Sequence, residues 1–194
     1  MLQHTESALV SALGEIDARA AVTFLGADRI EVLRFRDPDA PLVRYATLGM
    51  SASPMTDPTA AVADPLRGPR AELLLTVHAG HPATDRVLRP LAVLAAAPQV
   101  EGLVVRPDAC LDLGEPLWPG APFSAVLVAE SGGLVPDLPL PDPCDPVRFF
   151  PLLPMTPAET AWQRARGPEA LRAAWLAHGT DLRDPDRSAV PLSG

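Results

Sequence analysis

Two histidines and a nearby carboxylate are the residues of this chain whose types and spacing could do chemistry. His78 and His81 lie in the stretch VHAGHPATD at the end of an apolar run, and Asp85 follows four residues later. Imidazole and carboxylate groups can hold a metal ion, or act as a base with its orienting acid. Gly80 and Pro82 place the histidines on a turn, however, and no third ligand has a characteristic spacing. We therefore favour ordinary turn histidines, with a small metal-dependent hydrolase as the alternative.

Other catalytic patterns are missing from the sequence. Ser131 in AESGGL follows a strong strand pattern, but the G-x-S-x-G motif is absent and no helix pattern follows it. The chain contains no Lys, which excludes the lysine of a phosphate-binding loop. Cys110 and Cys144 are far apart, so they lack the close pair of a structural zinc site and are expected to be reduced thiols. We expect no cofactor and no metal.

Negative charge is concentrated in one part of the chain. The formal net charge is −8, and residues 101–145 hold eight acidic residues against Arg106 alone. Such a segment repels nucleic acid and attracts a basic protein partner, although a solvated surface that keeps the protein soluble is the alternative. Trp118, in EPLWPGAPF, could anchor a partner or fold back onto the core. The predicted partner-binding residues are Asp108, Asp112, Glu115, Trp118, Asp137, Asp142 and Asp145.

Periodicity predicts an α+β order of elements. An apolar stripe predicts a helix from Thr5 to Ala20, with Thr5 or Ser7 as its N-cap. Strand patterns follow in AVTFL, RIEVLRFRD, LVRYATLGM, RAELLLTVHAG, ACLDLG, SAVLVAE and VRFFPLLPM, with a weaker one in GLVV. RDPDAP suits a hairpin, and TDRVLRPLAVLAAAP predicts a helix that Pro90 kinks or restarts. Two proline-rich stretches, 50–69 and 131–146, are predicted as long loops.

The end of the chain carries the clearest helix signals. Pro151 and Pro154 favour an edge or bulge position for VRFFPLLPM, which must stop near Pro154. Thr156 and Glu159 in TPAE then form a capping box that begins a helix. That helix ends at Gly167, and Pro168 begins a second one whose Leu171, Trp175 and His178 share a face. These helices position a surface and expose no nucleophile.

Length and composition limit the fold further. The chain has 194 residues, 47% of them hydrophobic, which suits one ordinary globular domain over residues 1–194 with residues 180–194 as a C-terminal tail. We expect a single α+β domain with a central, mostly antiparallel, twisted sheet of about six strands and about four helices packed on it. No run of 18 apolar residues and no leader pattern occurs, so we expect no membrane contact and a cytoplasmic protein.

Several blocks occur in the order of a known family. LLPMTPAE, RGPEAL and DLRDPDRSAV follow one another, preceded by RAELLLTV, VLRPLAVLA and CLDLGEPLWPGAPFSAVLVAE. Together, over roughly residues 45–190, they resemble the bacterial members of the suppressor of fused domain family, with residues 1–40 matching weakly.

The resemblance implies a domain that works by binding proteins without a cofactor. Animal members of that family restrain a transcription factor by gripping a peptide from it, and bacterial members are thought to neutralise polymorphic toxins as immunity proteins. The sequence therefore predicts a non-catalytic protein-binding domain, with a basic toxin domain as the specific partner. An accessory subunit of a larger assembly is a further alternative.

Overall fold

One mixed sheet forms the centre of the protein. The computed structural model describes residues 1–24, 28–56 and 64–192, and within them seven strands and four helices are formed. The strands are β1 (Ile16–Val22), β2 (Ile30–Arg36), β3 (Leu42–Leu48), β4 (Arg70–His78), β5 (Cys110–Asp112), β6 (Ala125–Val128) and β7 (Val147–Met155). The helices are α1 (Leu2–Leu13), α2 (Leu88–Glu101), α3 (Pro157–Arg166) and α4 (Pro168–Ala177).

The sheet has the order β1-β2-β3-β4-β7-β6-β5. Every neighbouring pair is antiparallel except β4 and β7, which are parallel and therefore need the long connection that carries α2, β5 and β6. The prediction of a single α+β domain with a mostly antiparallel sheet is confirmed. The described residues contain one strand more than the predicted six.

The opening helix is shorter than predicted. It ends at Leu13, because Gly14 takes a φ of 94°, and Ile16 and Ala20 belong to β1 instead. The spacing of Ile16 and Ala20 fits a helical stripe, but it also fits a strand in which half-buried and exposed residues alternate. Pairing with β2 favours the strand over the helix. The predicted N-cap was also wrong, since the cap position is Met1. The weak strand predicted in GLVV does not form.

The position predicted for β7 was wrong, because this strand lies inside the sheet. Its first part pairs with β4 up to Leu152, and its last part pairs with β6 from Leu152 onward. The carbonyl of Pro151 accepts from Ala129, just past the end of β6. The backbone nitrogen of Pro154 points toward β4, but the β4–β7 ladder has already ended at Leu152. Pro154 therefore removes no sheet bond, whereas Pro151 removes the donor that would return the bond from Ala129, and the β6–β7 ladder ends there.

Helices cover both faces of the sheet and create its core. On one face α2 packs over strands β1 to β4, with Leu91 and Ala92 fully buried. A short 3₁₀ turn, Thr84–Val87, precedes α2, so the helix restarts just before Pro90 as one of the two predicted options requires. On the other face α1 and α4 bury separate clusters around Leu9 and Trp175. None of the described helices is long and apolar enough to cross a bilayer.

The predicted capping box between β7 and α3 is present. The Glu159 amide donates to the Thr156 hydroxyl at 3.3 Å, and the Thr156 amide donates to the Glu159 carboxylate at 2.9 Å. Pro157 follows as the first helical residue, where a missing N–H costs nothing. Gly167 and Pro168 then turn the chain into α4, so both helices are held at the end of β7.

Candidate functional site

The residues of the predicted metal or acid–base site each bond to a different partner, although His81 and Asp85 line one pocket. His78 Nε2 lies 2.7 Å from a carboxylate oxygen of Asp181, and His81 Nε2 lies 3.4 Å from Asp186. Asp85 is engaged elsewhere, by Arg34. Among the described residues no three His, Cys, Asp or Glu side chains are grouped so that they could hold a metal ion. The geometry therefore gives no support to the hydrolase alternative.

A polar pocket of about 420 Å³ lies beside Asp85, between the β2–β3 hairpin and the turn after β4. The Tyr45 hydroxyl donates to Asp85 at 2.7 Å, and Arg34 bridges Asp85 and Asp17. Burial raises the pKa of Tyr45, which stays protonated. Burial also acts to raise the pKa of Asp85, but the bonds from Arg34 and Tyr45 outweigh it and hold that pKa below its usual value. A carboxylate held ionised by a cation and a phenol is a poor general base.

The predicted acidic residues divide into two regions. Asp108 and Asp112 lie at β5, where Asp108 pairs with Arg172 of α4, and Asp112 accepts from Arg164 of α3 at 2.7 Å. The hydrogen bond from the Gly114 amide and the Arg164 guanidinium lower the pKa of Asp112. Glu115 is exposed on the loop that follows. Arginines from outside the acidic segment thus offset part of its charge.

The second acidic region precedes β7. Asp137 pairs with Arg148 at 3.3 Å, Asp145 accepts from the Gly68 amide at 2.6 Å, and Asp142 is exposed. This region lies at the start of β7, whereas Asp112 is level with its end. A strand of nine residues separates the two regions by about 26 Å. The acids therefore do not form one continuous face.

Trp118 lies in the core rather than on the surface. It is 2% exposed, and its ring packs edge-on against Phe123 at a centroid distance of 5.8 Å. The His81 ring also lies near it, at a centroid distance of 6.2 Å. Of the two possibilities for Trp118, the structure shows the loop aromatic folded onto the core. In this conformation the ring is not available to a partner.

An exposed apolar surface lies beside β5 and was not predicted. We call the exposed side chains Val93, Val100 and Leu103 the α2 patch. Val93 and Leu103 line a cavity of about 310 Å³ whose opposite wall is β5, and Leu103 also borders a second cavity of about 520 Å³ that reaches Asp108. The signal was in the sequence, because the helical spacing that turns Leu91 and Leu94 inward turns Val93 and Val100 outward.

The free edge of β5 completes this surface. β5 is the last strand in the sheet order, so within the described part of the chain one of its edges has no strand neighbour. Ala109 accepts from Val128 and Leu113 donates to Ser124, both on the β6 side. Since strand residues alternate, the main-chain groups of Cys110 and Asp112 point away from β6. An apolar patch thus stands next to unpaired backbone donors and acceptors.

Two carboxylates, those of Glu159 and Glu72, are buried near opposite ends of the central strands. The sequence did not predict the burial of either one or the partners that bind them. Glu159 is fully buried and accepts from Arg187, a nearly buried residue of the C-terminal tail, at 2.7 and 2.9 Å. Burial acts to raise the pKa of Glu159, but the bonds from Arg187, Thr156 and Trp175 outweigh it and leave that pKa lowered. Removing one partner of a buried ion pair is strongly destabilising, because the remaining charge is left buried without compensation.

Glu72 is also fully buried, but no cation pairs with it among the described residues. Its oxygens accept from the hydroxyls of Thr47 and Ser51, both at 2.7 Å, and from the amides of Gly49 and Ser51. Burial raises the pKa of Glu72, and these hydrogen bonds offset only part of that effect. The neighbouring Arg70 donates to the carbonyls of Ser51 and Ala52, both at 2.9 Å. Together they fix the start of the predicted 50–69 loop, of which residues 57–63 lie outside the described residues.

Comparison with solved structures identifies the fold. A crystal structure of a suppressor of fused homologue from Neisseria gonorrhoeae matches with a TM-score of 0.70 at 18% identity, over 99% of this chain and 97% of the other. The structure of a Sufu–Fu complex matches with a TM-score of 0.63 at 13% identity, over 97% and 89%. Drosophila Suppressor of Fused matches with a TM-score of 0.58 at 13% identity, over 97% of this chain and 50% of its own. These matches show that the chain has the fold of a suppressor of fused domain.

The sequence assigns the family independently. The family model for suppressor of fused protein matches residues 26–188. No curated protein matches the chain by sequence. The chain belongs to the suppressor of fused family, as the resemblance of its sequence blocks predicted.

Proposed function

We propose that this protein is a non-catalytic binding domain that captures an extended segment of another protein at the free edge of β5. The observation that carries this proposal is the α2 patch beside a strand edge whose main-chain groups are unpaired. Exposed apolar residues grouped next to such an edge are the usual components of a site that adds a strand to a sheet.

The geometry supplies both parts of such recognition. The outward main-chain groups of Cys110 and Asp112 offer hydrogen bonds to a segment of any sequence. The cavity between Leu103 and β5 takes an apolar side chain of that segment, which gives selectivity. Glu101 lines the same cavity and Asp108 borders the next one, so the rim of the site is acidic. An apolar centre with a charged rim is typical of protein interfaces.

Charge favours a basic partner. The net charge of −8 raises the rate at which a positively charged protein approaches, and the second acidic region at Asp137, Asp142 and Asp145 adds to this steering. We propose toxin neutralisation in the bacterial cytoplasm as the biological role, with a basic toxin domain as the partner. The neisserial homologue supports a bacterial setting for this fold, and the Sufu–Fu complex is a case in which the fold binds a protein.

A substitution in the α2 patch tests the binding surface. The partner protein is taken as the product of the adjacent gene, and binding is measured by calorimetry. Leu103→Glu places a charge in the apolar centre and is expected to weaken binding by at least about tenfold. Leu176→Glu is the matched control, because Leu176 is 84% exposed on α4 and lies outside the α2 patch. Equal effects of the two substitutions would contradict the proposed surface.

The biological role is tested separately. Expression of the adjacent gene alone is expected to arrest growth, and co-expression of this protein is expected to restore it. Association should slow as salt rises, because exposed charges are screened over about 10 Å at 0.1 M ionic strength. A neighbour that is harmless but co-purifies with this protein in fixed ratio would instead indicate an accessory subunit.

A further inference from the structure

The Arg187 side chain occupies a pocket with the features of a guanidinium receptor. Its two terminal nitrogens donate to the two Glu159 oxygens, and one of them also donates to the Pro154 carbonyl at 2.6 Å. The guanidinium carbon lies 4.9 Å from the ring centroid of Phe123 and 5.7 Å from that of Trp175. A forked pair of bonds to a carboxylate combined with aromatic contacts distinguishes arginine from lysine.

The walls of this pocket come from the body of the protein. The Glu159 carboxylate is oriented by the Thr156 amide and by Trp175 Nε1, both at 2.9 Å, and neither donor belongs to the tail. Phe123 packs against Trp118, and Trp175 is held in α4. Most of the groups that contact the guanidinium or orient Glu159 therefore belong to elements other than the tail.

The tail that supplies Arg187 is attached by surface contacts and by a few buried side chains, of which Val190 packs in the cluster around Trp175. Residues 180–192 contain no helix or strand. The Asp181 carboxylate lies 2.7 Å from His78 Nε2, and the Arg183 carbonyl accepts from the His78 backbone amide at 2.8 Å. Asp181 and His78 are each about one-third exposed or more, and such exposed pairs contribute little to stability. Apart from the Val190 amide, which donates to Glu159 at 3.2 Å, Arg187 is the main polar anchor of the tail.

We propose that the pocket formed by Glu159, Phe123, Trp175 and the Pro154 carbonyl is a recognition site for an arginine in an extended protein segment. Arg187 fills this site in the free chain. An arginine-bearing segment of a partner enters it by displacing the tail, since only another guanidinium restores the bonds that Glu159 loses. The site uses no residue of the α2 patch, so it stands whether or not the β5 edge binds a partner.

Chemical rescue tests the receptor in the full chain. Arg187→Ala empties the pocket, and ethylguanidinium at millimolar concentration is the probe. We expect the probe to raise the thermal midpoint of this variant while equal ethylammonium does not. Arg183→Ala is the matched control, because it removes an exposed arginine of the same tail and leaves Glu159 paired. Where Arg187→Ala does not fold, Arg187→Lys carries the same comparison. Rescue by both probes alike, or by neither, overturns the proposal.

Displacement is tested with a peptide on the wild-type chain. The acetylated peptide with the sequence of residues 184–190, DPDRSAV, is titrated while amide hydrogen exchange is followed at residues 187–190. Exchange there should accelerate, and the peptide should bind the wild type about tenfold or more weakly than Arg187→Ala, because it competes with the tail. A peptide with Lys in place of Arg should neither accelerate exchange at residues 187–190 nor bind Arg187→Ala more tightly than the wild type. Exchange that stays unchanged at concentrations that saturate Arg187→Ala would show that the tail is a fixed part of the fold.

Discussion

Replacing Glu159 with Gln is expected to destabilise the fold more than any surface substitution. The variant keeps the size of the side chain but leaves the Arg187 guanidinium buried without its counter-charge. Removing one partner of a buried ion pair costs about 3–5 kcal/mol. For a domain of this length each kcal/mol lowers the thermal midpoint by about 2–4 °C, so the expected loss is roughly 6–20 °C. Since domains are stable by only about 5–15 kcal/mol, the variant should fold with little reserve.

The measurement is thermal and urea unfolding followed by circular dichroism across pH. Glu169→Gln is the matched control, because Glu169 is exposed in the first turn of α4 and contributes at most about 1 kcal/mol through the helix dipole. The pKa of Glu159 is lowered in the fold, so its stabilisation is present above the unfolded pKa of about 4.3 and is lost as pH falls through the folded value. The gap between wild type and variant should therefore be constant near neutral pH and shrink in acid. A loss no larger than that of Glu169→Gln, or a gap that grows in acid, would refute this account.

Substitutions at Glu72, Gly49 and Thr156 have defined outcomes in the same unfolding assay, with Gly80→Ala as the comparison for Gly49→Ala. Glu72→Gln should cost about 1–3 kcal/mol, because the amide oxygen keeps the three bonds made to Oε1 but the amide nitrogen cannot accept from the Thr47 hydroxyl, whereas Glu72→Ala should cost more by leaving all of these buried donors unpaired. Gly49→Ala should be destabilising, since a Cβ there would lie 2.6 Å from the Arg29 carbonyl oxygen at a φ of 129°, and Gly80→Ala should be milder because nothing lies within 4 Å. Thr156→Ala should cost about 1 kcal/mol through loss of the N-cap.

Local signals predicted those parts of the fold whose partners are close in sequence. The capping box of α3 needs only Thr156 to Glu159, and the Gly167–Pro168 corner needs two adjacent residues, so both could be predicted from the sequence. The β2–β3 hairpin was predictable for the same reason, because RDPDAP fixes its turn. Helix spacing likewise predicted which side of α2 would be buried.

Features that depend on distant partners could not be predicted. The sequence of β1 fits a helical pattern, and only its pairing with β2 shows that it forms a strand. Glu72 and Arg70 look like exposed charges on an amphipathic strand, yet their partners come from residues 47–52, about twenty positions earlier. Arg187 lies in a run of alternating charges that reads as a solvated tail, and its acceptor is 28 residues away. Nothing in the local sequence separates a buried charge from a solvated one.

Charge summed along the chain overstated the acidic face for the same physical reason. The segment 101–145 has seven more acids than arginines, but Arg148, Arg164 and Arg172 reach it from β7, α3 and α4. Paired charges at two ends of a sheet can steer a basic protein toward this one, because steering depends on net charge over distances of a Debye length. They contribute little to holding it, since exposed ion pairs are worth about 0–1 kcal/mol. Affinity must then come from burial of apolar surface, and Val93 and Leu103 of the α2 patch offer such a surface beside β5. Substitutions among the acids should therefore change the association rate, whereas substitutions in the α2 patch should change the dissociation rate.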